Sequence, residues 1–222
     1  MTASSLTKLD RATLGEVSAT ATEPPTSRPE DEQRLVEQAR AGDGRAFGVL
    51  YERYVDRVYS FVLFRVRDEA LAEDLTQDVF IQVMRGLDGY TWHGTFAPWV
   101  LRIARNAVID HWRRVARRPE RPISAVEVET GDDAEDNRIG RIVDEEGEVA
   151  ILQAEAMLDR AAFQRASAQL TDLQRDVLAL RFASGLSIRE TAEAMDKSDG
   201  AIKNLQHHAV RALRRALGWD AS

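Results

Sequence analysis

Three times between Thr171 and Leu213 a hydroxyl residue stands just ahead of apolar residues spaced by threes and fours, a rhythm that dictates short helices joined by tight turns. Thr171 and Gln174 have the spacing of a capping box, and Leu173, Val177 and Leu180 form the stripe behind them. Gly185 closes that helix. Ser187 is placed to cap a second helix, on which Ile188, Ala192 and Met195 share a face. After a turn at Asp196–Lys197, Ser198 is placed to cap a long third helix. On it Ile202, Leu205, Ala209 and Leu213 point one way, and Lys203, His207, Arg211 and Arg214 another. A DNA-reading helix-turn-helix has this layout: one side of its last helix packs on a support while the other offers polar and cationic groups to bases and phosphates. The same spacing also suits an ordinary amphipathic helix with a solvated charged face. His207 and His208 diverge by about 100° on a helix and have no cysteine or third histidine nearby, so no metal site is expected there.

Helical signals also run from Asp31 to Arg118, punctuated by glycines at 42, 44, 86, 89 and 94. Within Glu69–Arg85, Leu71, Leu75, Val79 and Val83 form a core stripe. Asp74, Gln77, Asp78 and Ile81 lie on a different face, with Phe80 at its edge. Two carboxylates four apart can form a metal or acid–base pair, but a dinuclear helix would need further inward carboxylates and a Glu-x-x-His unit. A solvated face, or a docking surface for basic residues of a protein partner, suits Asp74 and Asp78 better. Next, Leu87–Phe96 sets Tyr90, Trp92 and Phe96 among glycines. Such aromatics either anchor a loop on the core, as expected of Phe96, or stack on unpaired bases. Pro98 opens a helix with Val100, Ala104, Ala107, Val108 and Val115 on one face. Arg102, Asn106, Asp110, Arg113 and Arg117 take another, with Arg114 close by. Stacking and charge side by side are what a reader of single-stranded nucleic acid requires.

The overall charge of −7 argues against DNA until it is divided. Pro98–Arg118 holds six arginines against one aspartate, a local +5, and Lys197–Leu217 holds five basic residues against one acidic, a local +4. Residues 120–165 carry five basic and thirteen acidic side chains, a balance of −8. Phosphate neutralisation is local, so two basic helices can bind DNA within an acidic chain. The acidic, turn-rich stretch 119–149 reads as a linker between helical domains at 31–118 and 150–218, and residues 1–30, rich in Ser, Thr, Ala and Pro, as a disordered tail. The fold class expected is all-α, two small helical domains joined by a flexible acidic linker. Glu127–Glu148 either serves as a solubilising spacer without contacts or, by electrostatics, competes with nucleic acid for the two basic faces. The absence of cysteine excludes disulfides and thiol redox chemistry, and no apolar run approaches the roughly 20 residues of a membrane span. A cytoplasmic protein without membrane insertion is the expectation. There is no nucleophile–base–orienter set, phosphate-binding glycine loop or histidine cluster, so no catalytic residue, metal or cofactor is expected.

Three stretches in order, AEDLTQDVFIQVM (72–84), FAPWVLRIARNAVIDHWRR (96–114) and LTDLQRDVLALRFASGLSIRETAEAMDKSDGAIKNLQHHAVRAL (170–213), resemble the extracytoplasmic-function sigma factors of the sigma-70 family. The resemblance covers about residues 34–118 and 150–217. It implies a promoter-recognition factor that partners core RNA polymerase and promoter DNA, commonly regulated by an anti-sigma protein. Asp74, Gln77, Asp78, Phe80 and Ile81 would then dock on polymerase. Trp92, Arg102, Asn106, Asp110, Arg113 and Arg114 would melt and read the minus-10 element, and Ser198, Asp199, Lys203, Asn204, His207 and Arg211 the minus-35 element. The chain departs from the family pattern at Ala201, where threonine is common, and at Leu205, His208 and Val210, where basic residues are common. A stand-alone helix-turn-helix regulator explains the C-terminal half equally well, but leaves the Asp74–Asp78 face and the aromatic loop without a use.

Overall fold

The computed structural model describes residues 29–117 and 166–218. The tail, the acidic linker with its suggested competition for the basic faces, and the start of the second helical segment lie outside the described residues.

Short polar signals set each helix boundary. Helix α1 spans Pro29–Arg40 and ends before Gly42, whose φ of +92° suits glycine. Asp43 accepts hydrogen bonds from the Arg45 and Ala46 amides and starts α2, Gly44–Val66. Arg67, in the left-handed region, stops α2, and Asp68 caps α3, Glu69–Gly86. A 3-10 turn at Leu87–Gly89 and the aromatic loop lead to α4, Ala97–Ala116, with proline in its first turn as expected. In the second segment Thr171 and Gln174 form the capping box of α5, Asp172–Leu178. Ser187 caps α6, Ile188–Met195, in a second box completed by Glu190. Ser198 caps α7, Asp199–Ala216, after a turn that places Asp196 in the left-handed region. Among the described residues no strand occurs, which agrees with the all-α expectation.

Two features were not legible in the periodicity. The first is a π-helical turn, Ala179–Ala183, that continues α5 and is closed by Gly185. From it Arg181 reaches the side-chain oxygen of Gln206, a fully buried amide on α7, with Nε 2.9 Å away. The second is that the two helical segments share one core. Phe61, Val62, Val79, Val100 and Leu101 from α2–α4 form one continuous cluster with Val177, Leu180, Leu186, Ala192, Met195 and Ile202. Helix α6 lies against α4, and the π-turn against α2. A smaller cluster of Leu170, Leu178, Ala209, Val210 and Leu213 fills the far end, with Phe64 packed against it.

Polar contacts fix this arrangement. Asp176, only 1 % exposed, lies between two arginines of the first segment. Arg105 donates from Nε to its Oδ2 at 2.7 Å, and Arg65 Nε stands 2.8 Å from Oδ1 but off the line of a good hydrogen bond, so that contact is chiefly ionic. Arg65 also reaches Asp172 at 3.4 Å. Beside them Arg57 Nε donates to the Ser184 carbonyl at 2.7 Å while Ser184 Oγ donates back to the Arg57 carbonyl at 3.0 Å. Removing one member of a buried charge group strands the others without solvent, at a cost of about 3–5 kcal/mol, whereas half-exposed pairs are worth about 1 kcal/mol or less. Asp176→Ala should therefore destabilise the chain several-fold more in free energy than Asp172→Ala, as read from urea unfolding midpoints. Equal shifts would show that the buried carboxylate is not what joins the segments.

Candidate nucleic-acid interface

On α3, Asp74, Gln77, Asp78 and Ile81 are all exposed, as their spacing predicts, while Leu75, Val79 and Val83 turn inward. Phe80 is the correction: at 6 % exposure it belongs to the core beneath this face rather than to its surface. Its ring meets Tyr51 of α2 edge-on at 4.6 Å. Tyr51 and Met84, which sequence spacing did not single out, supply the exposed apolar groups beside Ile81. Tyr51 sits on a different helix, so no local periodicity could have joined it to α3.

Around the other side of α3 a groove of about 410 Å³ opens against α4. Asp78 and Gln82 line one wall and Asp110, Arg113, Arg114 and Arg117 the other. Arg102, Asn106, Asp110, Arg113 and Arg114 are exposed, as their face predicts. Asp110 restrains two of the arginines, with Arg113 at 3.6 Å from its carboxylate and Arg114 Nε donating to its carbonyl at 3.3 Å. Between them His111 is held below its ordinary pKa by partial burial and by Arg114, so this stretch stays charged through its arginines alone.

The aromatic loop is mostly an anchor. Phe96 and Tyr90 are buried, and Phe96 packs on Tyr54, Tyr90 and Trp99 at 5.2–5.6 Å. A Cβ on Gly86 would approach the Trp99 ring to 3.1 Å, so glycine lets the end of α3 lie close over that ring without displacing it. Tyr90 Oη donates to the Thr95 carbonyl at 3.2 Å, and Gly94 at φ +99° lets the loop turn between them. Thr91, His93 and Gly94 are exposed, and Trp92 is half-buried against the core with part of its ring open.

On α7, Ser198, Asp199 and Arg211 are exposed and Lys203, Asn204 and His207 half-buried. Ser198 Oγ accepts from the Ala201 amide at 3.2 Å, so its lone pairs serve the helix first. Val210 is buried and Leu205 packs against the core. Where the family pattern has a basic group, these two positions therefore turn inward. His208 is exposed, its ring edge-on to His207 at 5.6 Å. Among the described residues no group of three or more His, Cys, Asp or Glu could hold a metal ion, and no helix is long and apolar enough to cross a membrane.

The chain matches the family Sigma-70 region 2 over residues 50–118 and the family Sigma-70, region 4 over residues 168–215. It is 40 % identical over 188 residues to the ECF RNA polymerase sigma factor BldN of Streptomyces coelicolor, an alignment covering 84 % of this chain and 66 % of that relative. To the RNA polymerase sigma-H factor of Pseudomonas aeruginosa it is 31 % identical over 188 residues, covering 85 % of this chain and 94 % of the other. The solved structure of the sigma factor RpoE in complex with the anti-sigma factor NepR, from Bartonella quintana, shares the fold with a TM-score of 0.58 at 21 % identity, covering 78 % of this chain and 98 % of that one.

Burial, with the charges of Glu193 and Glu32 behind it, pushes the Tyr90 phenol up to about 12 from 10.0. Burial and Glu32 raise Tyr54 further still. A tyrosine whose folded pKa is raised contributes stability that is complete below pH 10 and is lost as pH climbs through the folded value. At pH 11 the native protein should therefore lack the 295 nm phenolate absorbance of two of its four tyrosines, regained on unfolding in urea, and Tyr90→Phe should reduce the loss of stability between pH 10 and 12. Full phenolate absorbance in the native state at pH 11 would mean that the loop is open to water.

Proposed function

This chain belongs to the sigma-70 family, among its ECF RNA polymerase sigma factors, and from that premise we propose how its surfaces share the work of promoter recognition. A sigma factor lends DNA specificity to RNA polymerase and is a non-catalytic initiation factor. The proposal for this chain is that it binds core polymerase through α3, melts and reads the minus-10 element with the loop 90–96 and α4, and reads the minus-35 element as duplex with α7. It acts without catalysis, in the cytoplasm, and an anti-sigma protein is the regulator its family suggests.

One observation carries this reading. An exposed acidic and apolar face on α3 adjoins an arginine-lined face on α4 across one groove, and a helix-turn-helix follows in the same chain. A stand-alone helix-turn-helix regulator would have no use for the first two. On α3, Asp74 and Asp78 offer charge to basic residues of the partner while Tyr51, Ile81 and Met84 offer apolar contact, a mixture that suits a specific protein interface. Arg102 and Asn106, exposed on α4, follow the half-open Trp92 in the chain, an order in which one base can stack while its neighbours meet charge and amide. On α7, Lys203 and Arg211 suit phosphates, while Asn204 and His207 are short enough to read base edges.

The deciding experiment is transcription from duplex templates by core polymerase with and without the chain. Specific initiation only in its presence is expected, and footprinting of promoter duplex by the chain alone would instead favour the regulator. Within that assay Asp74→Ala/Asp78→Ala should weaken core binding by a few kcal/mol at most. Unaltered core affinity would remove α3 from the docking role. Lys203→Ala should weaken every promoter alike and lower the salt slope by about one ion, whereas His207→Ala should change sequence preference. A uniform loss for His207→Ala would assign it to phosphate contact instead.

A further inference from the structure

Helix α1 precedes the Sigma-70 region 2 match, yet it sends one carboxylate into the middle of that region. Glu32 is 7 % exposed and makes three contacts, two to neighbouring residues of α2 and one to the start of α4. Its Oε2 accepts from the Phe96 amide at 3.1 Å. Its Oε1 accepts from the Tyr54 hydroxyl and from Arg53, the latter at 3.3 Å. Phe96 is the residue at which the aromatic loop ends and α4 begins, and no side chain of the loop caps that helix. The carboxylate thus does from α1 what the N3 residue of a capping box ordinarily does from within: it accepts from the buried N-cap amide at a helix start, where negative charge is favoured. Phe96 is gripped on both sides, since its ring packs on the same Tyr54 that donates to Glu32. The burial that pushes Tyr54 upward keeps its proton in place as donor.

We propose that Glu32 is the positioning residue of the minus-10 reader, holding the loop 90–96 in its reading shape by fixing Phe96, with Tyr54 as its relay. The proposal rests on the reading of that loop given above. With Phe96 fixed, the exposed tip from Thr91 to Gly94 and the half-open Trp92 are presented on a short tether. Strand capture then loses no free energy to ordering the loop, which is the advantage of a preorganised site. Without the carboxylate the Phe96 amide is stranded in the core and the tip loses its fixed end. Glu32 touches no DNA in this scheme. Its loss should slow the opening of duplex promoter and spare the step that binds polymerase.

The test uses holoenzyme reconstituted from the full chain and a promoter selected by that holoenzyme from a random duplex library. The promoter is prepared as intact duplex and with a mismatched, premelted minus-10 segment, each carrying 2-aminopurine to report unstacking. Glu32→Ala should lower opening of the duplex about tenfold or more, the scale set by losing a hydrogen bond to a charged group. Tyr54→Phe should lower it less. Core affinity should stay within about twofold, and the premelted template should restore initiation to near the wild-type level. If Glu32→Ala does not fold, Glu32→Gln and Tyr54→Phe, which keep the volume, carry the test: each should lower duplex opening, by less than Glu32→Ala, with core affinity kept and the loss restored on the premelted template. An equal loss on both templates, a loss that follows core affinity, or no loss would overturn the proposal. Trp92→Ala and Arg102→Ala run alongside. Should both leave opening intact, the loop does not read the strand and the proposal falls with that reading; should they impair opening while the Glu32 and Tyr54 variants do not, the clamp alone is wrong.

Discussion

The arrangement of this protein depends on a single carboxylate. Asp176 sits between Arg65 of α2 and Arg105 of α4, almost without solvent, at the edge of the apolar core the two segments share. An ion so deeply placed is not a gain in itself, because removing three charges from water costs about as much as their attraction returns. Its effect is on specificity. Apolar surfaces slide over one another with small penalties, whereas a carboxylate caught between two guanidinium groups tolerates one register. The neighbouring exchange between Arg57 and Ser184 repeats the constraint with neutral partners. Helix α5 is only seven residues long, too short to be stable on its own, so the contact also supplies part of the reason for that helix to exist.

Helices α3 and α4 are joined more directly. The core stripe of α3 and that of α4 meet, which leaves their polar faces on either side of one groove. Asp78 lines that groove while belonging to the acidic face, and Asp110 lines it while belonging to the basic one. The acidic face of α3 is therefore one side chain away from the arginine-lined face of α4. If both faces bind as proposed, such adjacency would let one binding event be felt at the second through packed helices, without a long path between them.

Sequence reading recovered what is local and missed what is not. The caps at Thr171, Ser187 and Ser198, the proline start of α4 and the inward stripes of α3, α4 and α7 are encoded within a few residues of where they act. The exposed faces follow from the same spacing, which is why Asp74, Gln77, Asp78, Arg102 and Asn106 lie where they were expected. Phe80 failed because the width of a buried stripe depends on what covers it, and Tyr51 comes from another helix. The π-turn at 179–183 has no periodic signature of its own. Asp176 and Glu32 look like ordinary surface acids in the sequence, because their partners lie 71 and 64 residues away. Burial of a charge is a tertiary fact, and pattern alone assigns such residues to water.

The common core of the two segments has a kinetic meaning as well. Val177, Leu180, Ala192 and Met195 are dry only while α5 and α6 lie on α2 and α4. A separated form would expose apolar surface on both halves at once, and surfaces of that kind attract other copies of the same chain. Crowding and expression level then become relevant: a long-lived open form would be lost to aggregation in proportion to its concentration. Any partner that parts the segments must cover the newly wetted residues as it does so, and the open form is expected to persist only for as long as that cover remains in place.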